Sequence, residues 1–148
     1  MPTAPLSNEQ VVHRYVEAIV AQDSSGLGLS RHPEWTADWP QSRERVRGHA
    51  NERAIFDNWP GGQPNPQVDL VVGAEDRWVV TPAFTFQRIV GSGDFWWVAG
   101  TMTYPDDSTW LDVVLLELRD GKVLRETWYW APATEAPAWR AQWVEPIG

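Results

Sequence analysis

The stretch TWLDVVLLELRDGKVLRETWYW, Thr109 to Trp130, decides the fold. Two runs rich in β-branched, aromatic and aliphatic residues flank Asp120-Gly121, a dipeptide that suits a two-residue hairpin turn because both positions tolerate positive φ. Pairing back from that turn puts Arg119 opposite Lys122, Leu115 opposite Glu126 and Val113 opposite Trp128. One face then carries Leu111, Val113, Leu115, Leu124, Glu126, Trp128 and Trp130, which leaves Glu126 as a lone carboxylate among apolar and aromatic neighbours. The opposite face carries Asp112, Val114, Leu116, Val123, Arg125, Thr127 and Tyr129 and is apolar in its middle too. Both faces are therefore expected to be covered, one by helices and one by another sheet or a second subunit, so a homodimer is expected. The simple count keeps Asp112 off the pocket face; a bulge that shifts the register would turn it in.

Upstream of the hairpin, Phe95–Tyr104, Phe84–Val90, Arg77–Val80 and Gln67–Val72 read as further strands. Their boundaries are turn signals at Gly73-Ala74-Glu75-Asp76, Gly91-Ser92-Gly93-Asp94 and Pro105-Asp106-Asp107-Ser108. The N-terminal part follows a helical period. Ser7-Asn8-Glu9-Gln10 fits a capping box, and Val12, Tyr15, Val16, Ile19 and Val20 recur at three- and four-residue steps on one face. Asp23 or Ser24 is placed to cap a short second helix with Leu27 and Leu29, ended by Pro33. An extended piece runs from Trp35 to Val46. His49–Asn58 reads as a third helix with Ala50, Ile55, Phe56 and Trp59 inward, stopped by Pro60-Gly61-Gly62. Helices followed by an antiparallel meander define an α+β class, a curved sheet of about five to six strands wrapped on three N-terminal helices. The 148 residues suit one domain over 1–148, with 132–148 a Pro/Trp-rich tail anchored by Trp139 and Trp143.

Charge and composition narrow the function. A net charge of -8 argues against a nucleic-acid partner, which clustered Lys and Arg would attract. There is no Cys, so thiolate metal sites are excluded, and no His/Asp/Glu spacing fits a metal site, so no cofactor is expected. Met1-Pro2-Thr3-Ala4-Pro5 lacks the basic and apolar regions of a leader, and no segment stays apolar for the roughly 20 residues of a membrane span, so a cytoplasmic location without a membrane partner is expected. Eleven Trp residues are many, costly to expose and suited to stacking on a ligand.

Arg14-Tyr15-Val16-Glu17 in the first helix, the Trp39-Pro40 to Gly48 segment, and Gly121-Lys122-Val123 leading to Tyr129-Trp130 together give the chain a family likeness. It resembles the nuclear-transport-factor-2-like superfamily, in its SnoaL-like and ketosteroid-isomerase-like branch, over nearly the whole domain. The resemblance implies a cone-shaped sheet around an apolar pocket for a small hydrophobic or aromatic ligand. Tyr15 matches the helix-one Tyr that donates to a developing enolate oxygen. The position of the proton-shuttling Asp falls on Trp39, and Asp38, one residue early, turns to the other face. The second oxyanion acid falls on Leu115 or Val114. Ketosteroid isomerisation is therefore disfavoured, whereas a cyclase-, isomerase- or hydratase-like activity stays open because Glu126 brings a carboxyl to nearly the same place.

The candidate catalytic residues are thus Glu126 as acid/base, Tyr15 as oxyanion donor and His32, on the short second helix or the turn after it, as a base. Trp35, Trp39, Trp97, Leu115, Trp128 and Trp130 are the candidate ligand-binding wall. Each has a plainer reading: Glu126 paired with a core Arg such as Arg45 or Arg47, Tyr15 bonded to a carbonyl, His32 at the surface, and the Trp residues as ordinary core. His13 and His49 read as surface or capping residues. Non-catalytic binding and a purely structural dimer domain remain as alternatives to an enzyme.

Overall fold

The computed structural model describes residues 3–73, 77–80, 86–89 and 93–147. Helix α1 spans Asn8–Val20 and α2 Ser24–Ser30; β1 (Arg31–Trp39) and β2 (Glu44–Arg47) follow before α3 (His49–Asp57). Strands β3 (Asn65–Gly73), β4 (Arg77–Val80), β5 (Phe86–Ile89), β6 (Phe95–Thr103), β7 (Thr109–Arg119) and β8 (Lys122–Pro132) complete the fold, with a 3-10 turn over Ala138–Trp143. Six strands form one sheet in the order β2-β1-β8-β7-β6-β3, while β4 and β5 pair separately. The sheet is mixed because β8 runs parallel to β1 and antiparallel to β7. The extended piece expected from Trp35 is therefore the β1–β2 hairpin, and α3 comes after it. Positions 74–76, 84–85 and 90–92, where parts of two turns and the ends of the Phe84–Val90 strand are expected, lie outside the described residues, as do Met1 and Pro2.

Local chemistry sets the helix positions. Ser7 Oγ accepts from the Gln10 N–H at 3.2 Å and the Ser7 N–H donates to Gln10 Oε1 at 2.9 Å, so the capping box forms as its spacing predicts. Val11, Val12, Tyr15 and Ala18 face the core, with Val16 and Ile19 packed at its edge. Val20 is instead exposed, because the buried face of α1 turns towards Val11 and Ala18. Asp23 occupies the N-cap of α2 without a side-chain bond, and Leu29 is exposed. On α3, Ile55 and Phe56 are half-buried, as is Trp59 just past its end, and Ala50 is exposed; the sheltered residue is Glu52.

The hairpin turn matches expectation, with φ of 53° at Asp120 and 69° at Gly121 and Arg119 opposite Lys122. The register beyond it does not. Leu118 pairs with Val123 but Glu117 pairs with Arg125, so Leu124 is the extra residue of a β-bulge. Every later residue of β8 moves by one: Glu126 faces Leu116 and not Leu115, and Trp128 faces Val114. One sheet face thus carries Leu116, Val114, Asp112, Glu126, Trp128 and Trp130, and this is the concave face that packs on α1. Leu115 lies on the convex face with its partner Trp97. A second bulge, between Val68 and Leu70 of β3, is accommodated at Gly100, where a Cβ would lie 2.0 Å from the Gln67 carbonyl oxygen.

The convex face stays uncovered among the described residues: Leu70, Leu111, Val113 and Tyr129 are exposed there. Trp139 and Trp143 of the tail are 72% and 71% exposed, so they do not anchor it, and neither lines a cavity described below. No helix is long and apolar enough to cross a membrane.

Candidate functional site

Arg31, the first residue of β1, lies buried between β8 and α3. Its guanidinium uses all five N–H groups. Nε donates to Glu126 Oε1 at 3.0 Å, Nη2 to the same oxygen at 2.9 Å and to Glu52 Oε2 at 2.7 Å, and Nη1 to Glu52 Oε1 at 2.5 Å and to His49 Nδ1 at 2.9 Å. The Trp35 ring stacks beneath it, 4.0 Å from Cζ to the ring centroid. Glu126, expected as a carboxylate without a charged partner, is held by this Arg31 and by two indoles: Trp35 Nε1 donates at 3.0 Å and Trp128 Nε1 at 2.8 Å. Glu126 accepts in every one of these contacts, three of them at Oε1 and one at Oε2. The core Arg that pairs with it is Arg31 and neither Arg45 nor Arg47. Arg45 pairs instead with Asp38 at 2.5 Å on the convex side, and that bond holds the Asp38 carboxyl below its usual range.

Two carboxylates share one guanidinium, and the electrostatics follow. Burial raises Glu52, the Glu126 charge raises it further, and Arg31 only partly offsets both, leaving Glu52 at about 7. Burial pulls Arg31 down, but Glu126 and Glu52 outweigh it and hold the guanidinium firmly charged. Tyr15 is pushed up by burial and by the charge of Glu126; its hydroxyl, sealed in the core, lies beside the Glu126 carboxylate without reaching it at well-formed hydrogen-bond geometry. His49 falls below its ordinary value through burial and the adjacent Arg31. Since arginine only donates, Nδ1 of His49 must accept, so its proton sits on Nε2, which donates to Ser24 Oγ at 3.2 Å. In that tautomer His49 cannot take a proton from Ser24, and the Ser–His pair is not a nucleophile and base.

The cluster floors a cleft. A cavity of about 260 Å³ is lined by Arg31 and Glu52 together with Ile19, Leu27, Phe56, Met102 and Trp128. It adjoins a smaller space of about 70 Å³ walled by Trp39, Trp59, Tyr104 and Trp130 and sharing Glu52, Phe56, Met102 and Trp128. Phe56 stacks on Trp59 with centroids 5.6 Å apart, and Trp39 meets Trp130 edge-on at 5.8 Å. This is an apolar, aromatic cleft with a few convergent polar groups, the usual form of a small-molecule site. Of the sequence-derived candidates, Trp39, Trp128 and Trp130 line it. Trp35 is buried under Arg31, Glu126 and Tyr15 lie behind that layer, and Trp97 and Leu115 face away. His32 is on β1, where its Nδ1 accepts from the Glu34 N–H at 3.0 Å, and it borders a separate groove with His49.

Arg31 and Glu52 were not singled out from the sequence, yet a signal existed for both. Glu52 stands three and four positions before Ile55 and Phe56 and so shares their face. Arg31 continues the alternation of Trp35, Ala37 and Trp39. Asp112, with one carboxylate oxygen buried and unbonded, joins the concave face through the Leu124 bulge; burial and the charge of Asp69 raise it to about 6. Among the described residues no group of three or more His, Asp or Glu is arranged to hold a metal ion.

No protein-family model and no curated protein sequence matches the chain. Solved structures do. A nuclear-transport-factor-2-like protein of unknown function from Burkholderia xenovorans LB400 superposes with a TM-score of 0.73 at 26% identity, over 96% of each chain. A candidate ketosteroid isomerase from Kribbella flavida DSM 17836 gives 0.69 at 22% identity, over 96% of this chain and 90% of that one. TerC, co-crystallised with polyporic acid, gives 0.61 at 16%, over 85% of this chain and 92% of its own. The fold is the nuclear-transport-factor-2-like, cystatin-like one that the sequence resembles.

Proposed function

Starting from the nuclear-transport-factor-2-like fold of this chain, we propose that it is an enzyme of small-molecule metabolism that moves a proton on a flat hydrophobic substrate held in the aromatic cleft. The observation that carries this reading is Glu52: a sheltered carboxyl at the cavity floor whose pKa near 7 lets it both take and return a proton at neutral pH. Glu52 thus takes the acid/base role that the sequence suggested for Glu126. Glu126 and Arg31 act as positioning residues, fixing the Glu52 carboxyl by two hydrogen bonds from one guanidinium. The reaction class is transfer of a proton from a carbon beside a carbonyl to another site of the same molecule, which leaves Glu52 as it began. Neighbours of this fold include a candidate ketosteroid isomerase and a protein crystallised with the aromatic ligand polyporic acid, which supports a flat substrate. The exposed convex face, with Leu111, Val113 and Tyr129, supports a homodimer built through it.

A second reading, a hydrophobic-ligand-binding module without chemistry, is favoured by the saturation of Arg31, which has no N–H left for a substrate oxygen. Proton exchange separates the two. Incubated in D2O with 2-tetralone, a flat enolisable ketone, the wild-type protein should speed deuterium uptake beside the carbonyl, and Glu52→Gln should lower that rate by roughly 100-fold, the scale of one general base. Saturable binding with no acceleration would overturn the catalytic reading and leave the binding module.

A further inference from the structure

Asp112 is the concave-face carboxyl that the acid/base cluster does not use. Its cross-strand partners are Trp130 on β8 and Gly100 on β6, and Gly100 presents no side chain to it. Met102, two residues along β6 on the same face, Tyr104 just beyond and the carboxylate of Asp69 at the β3 bulge lie around it. The charge of Asp112 reaches Tyr104, whose phenol is raised by burial first and by Asp112 second. Trp130, Met102 and Tyr104 are all walls of the cleft. Asp112 thus stands behind the Trp130, Met102 and Tyr104 walls at the aromatic end of the cleft, half-buried, with Oδ1 sealed from solvent and unbonded.

Counting charge along the cleft shows what is missing. Glu52, Glu126 and Asp112 stand against Arg31 alone, whose donors are spent within the cluster. Arg53 at the rim faces Asp57 at 3.7 Å, and both are exposed. The aromatic faces of Phe56, Trp59, Tyr104 and Trp130 add negative quadrupole potential to the same space. A neutral apolar ligand would satisfy the rings and leave Asp112 unanswered, whereas a positive ring nitrogen would answer both.

We propose that the ligand of this cleft is a flat organic cation, a conjugated ring system carrying a quaternary or protonated nitrogen that sits among the aromatic walls with its charge towards the Asp112 carboxylate behind them. This rests on the reading of the cleft as a small-molecule site and names the class of molecule it takes. The preference is set by an uncompensated carboxylate and aromatic faces together, so it needs both.

The test compares 1-methylquinolinium with 1-methylnaphthalene, equal in shape and atom count and different by one charge, in equilibrium dialysis against the full chain at pH 7.5. The cation should bind at least tenfold tighter than the hydrocarbon. Asp112→Asn, checked for folding by circular dichroism, should bring the cation down to the affinity of the hydrocarbon and leave the hydrocarbon unchanged. Tyr104→Leu, which keeps the charge and removes a ring, should weaken the cation more than the hydrocarbon. Equal binding of the two probes, or a preference that survives in Asp112→Asn, would overturn the inference while the small-molecule reading stands. Binding of neither probe would overturn the inference and weigh against the small-molecule reading as well.

Discussion

Replacing Arg31 by Met removes the one cation between Glu52 and Glu126 and keeps an apolar stem of similar length. Breaking a buried ion pair by deleting one partner costs about 3–5 kcal/mol, because the surviving charge is left without compensation. Here two carboxylates lose their guanidinium at once, with Arg31 and Glu126 side chains 3% and 0% exposed, so solvent cannot substitute. At roughly 2–4 °C per kcal/mol for a chain of this size, the melting temperature should fall by about 6–20 °C at pH 8. The pH dependence gives the test its direction. Arg31 is what lowers Glu52, so its removal drives the Glu52 carboxyl above the value of about 7 it holds in the wild type, against 4.5 for the ordinary group. A carboxyl raised in the folded state contributes stability below its unfolded value and loses it as pH rises through its folded value. The part of the Arg31→Met deficit that Glu52 carries should therefore be absent near pH 4, open as pH rises past about 7, and be complete only above the higher value Glu52 takes in the variant. Urea unfolding at pH 4 and pH 8, with calorimetry at both, measures it. A deficit under about 1 kcal/mol at pH 8, or an equal deficit at the two pH values, would refute the view that this guanidinium compensates two buried charges.

Three further outcomes follow from single features. Tyr15→Phe removes a buried hydroxyl that lies beside Glu126 without a well-formed hydrogen bond, so it should leave stability in urea unchanged or raise it by about 1 kcal/mol; a loss beyond 1 kcal/mol would show that the hydroxyl bonds to Glu126. Gly100→Ala drives a Cβ to within 2.0 Å of a backbone carbonyl oxygen and should cost at least about 2 kcal/mol in thermal unfolding; a silent substitution would mean that the β3 bulge can shift. Val113→Lys puts a charge in the middle of the exposed convex face and should halve the mass seen by sedimentation, whereas a wild type that is already monomeric rules out the dimer.

The parts of the fold written in local chemistry were legible. The Ser7–Gln10 box and the Asp120-Gly121 turn are set by residues within four positions of one another, and both form as their spacing predicts. The bulge at Leu124 was not legible, because Val123 and Leu124 are both apolar and satisfy either face of the sheet equally. That single residue turned Leu115 outward and Asp112 inward. The charged cluster failed for a different reason. Glu126 was recognised as buried, but its partner lies 95 positions away and on an element read as the end of a helix, so no short-range pattern connects them. Glu52 carries the helical spacing of its apolar neighbours, but a Glu on an amphipathic helix ordinarily faces solvent, so spacing alone does not mark it as buried. A charged residue in register with an apolar stripe is better treated as a prompt to look for its counter-ion.

The pair of indole N–H groups on Glu126 gives the protein an internal electrochromic probe. Exciting an indole moves electron density from its five-membered towards its six-membered ring. For Trp35 and Trp128 that shift runs away from the carboxylate bound at the ring nitrogen, so a negative Glu126 lowers the energy of their emitting states. Two of the eleven tryptophans should thus emit to the red of what their burial alone would give, and the colour of that component follows the charge at the centre of the fold.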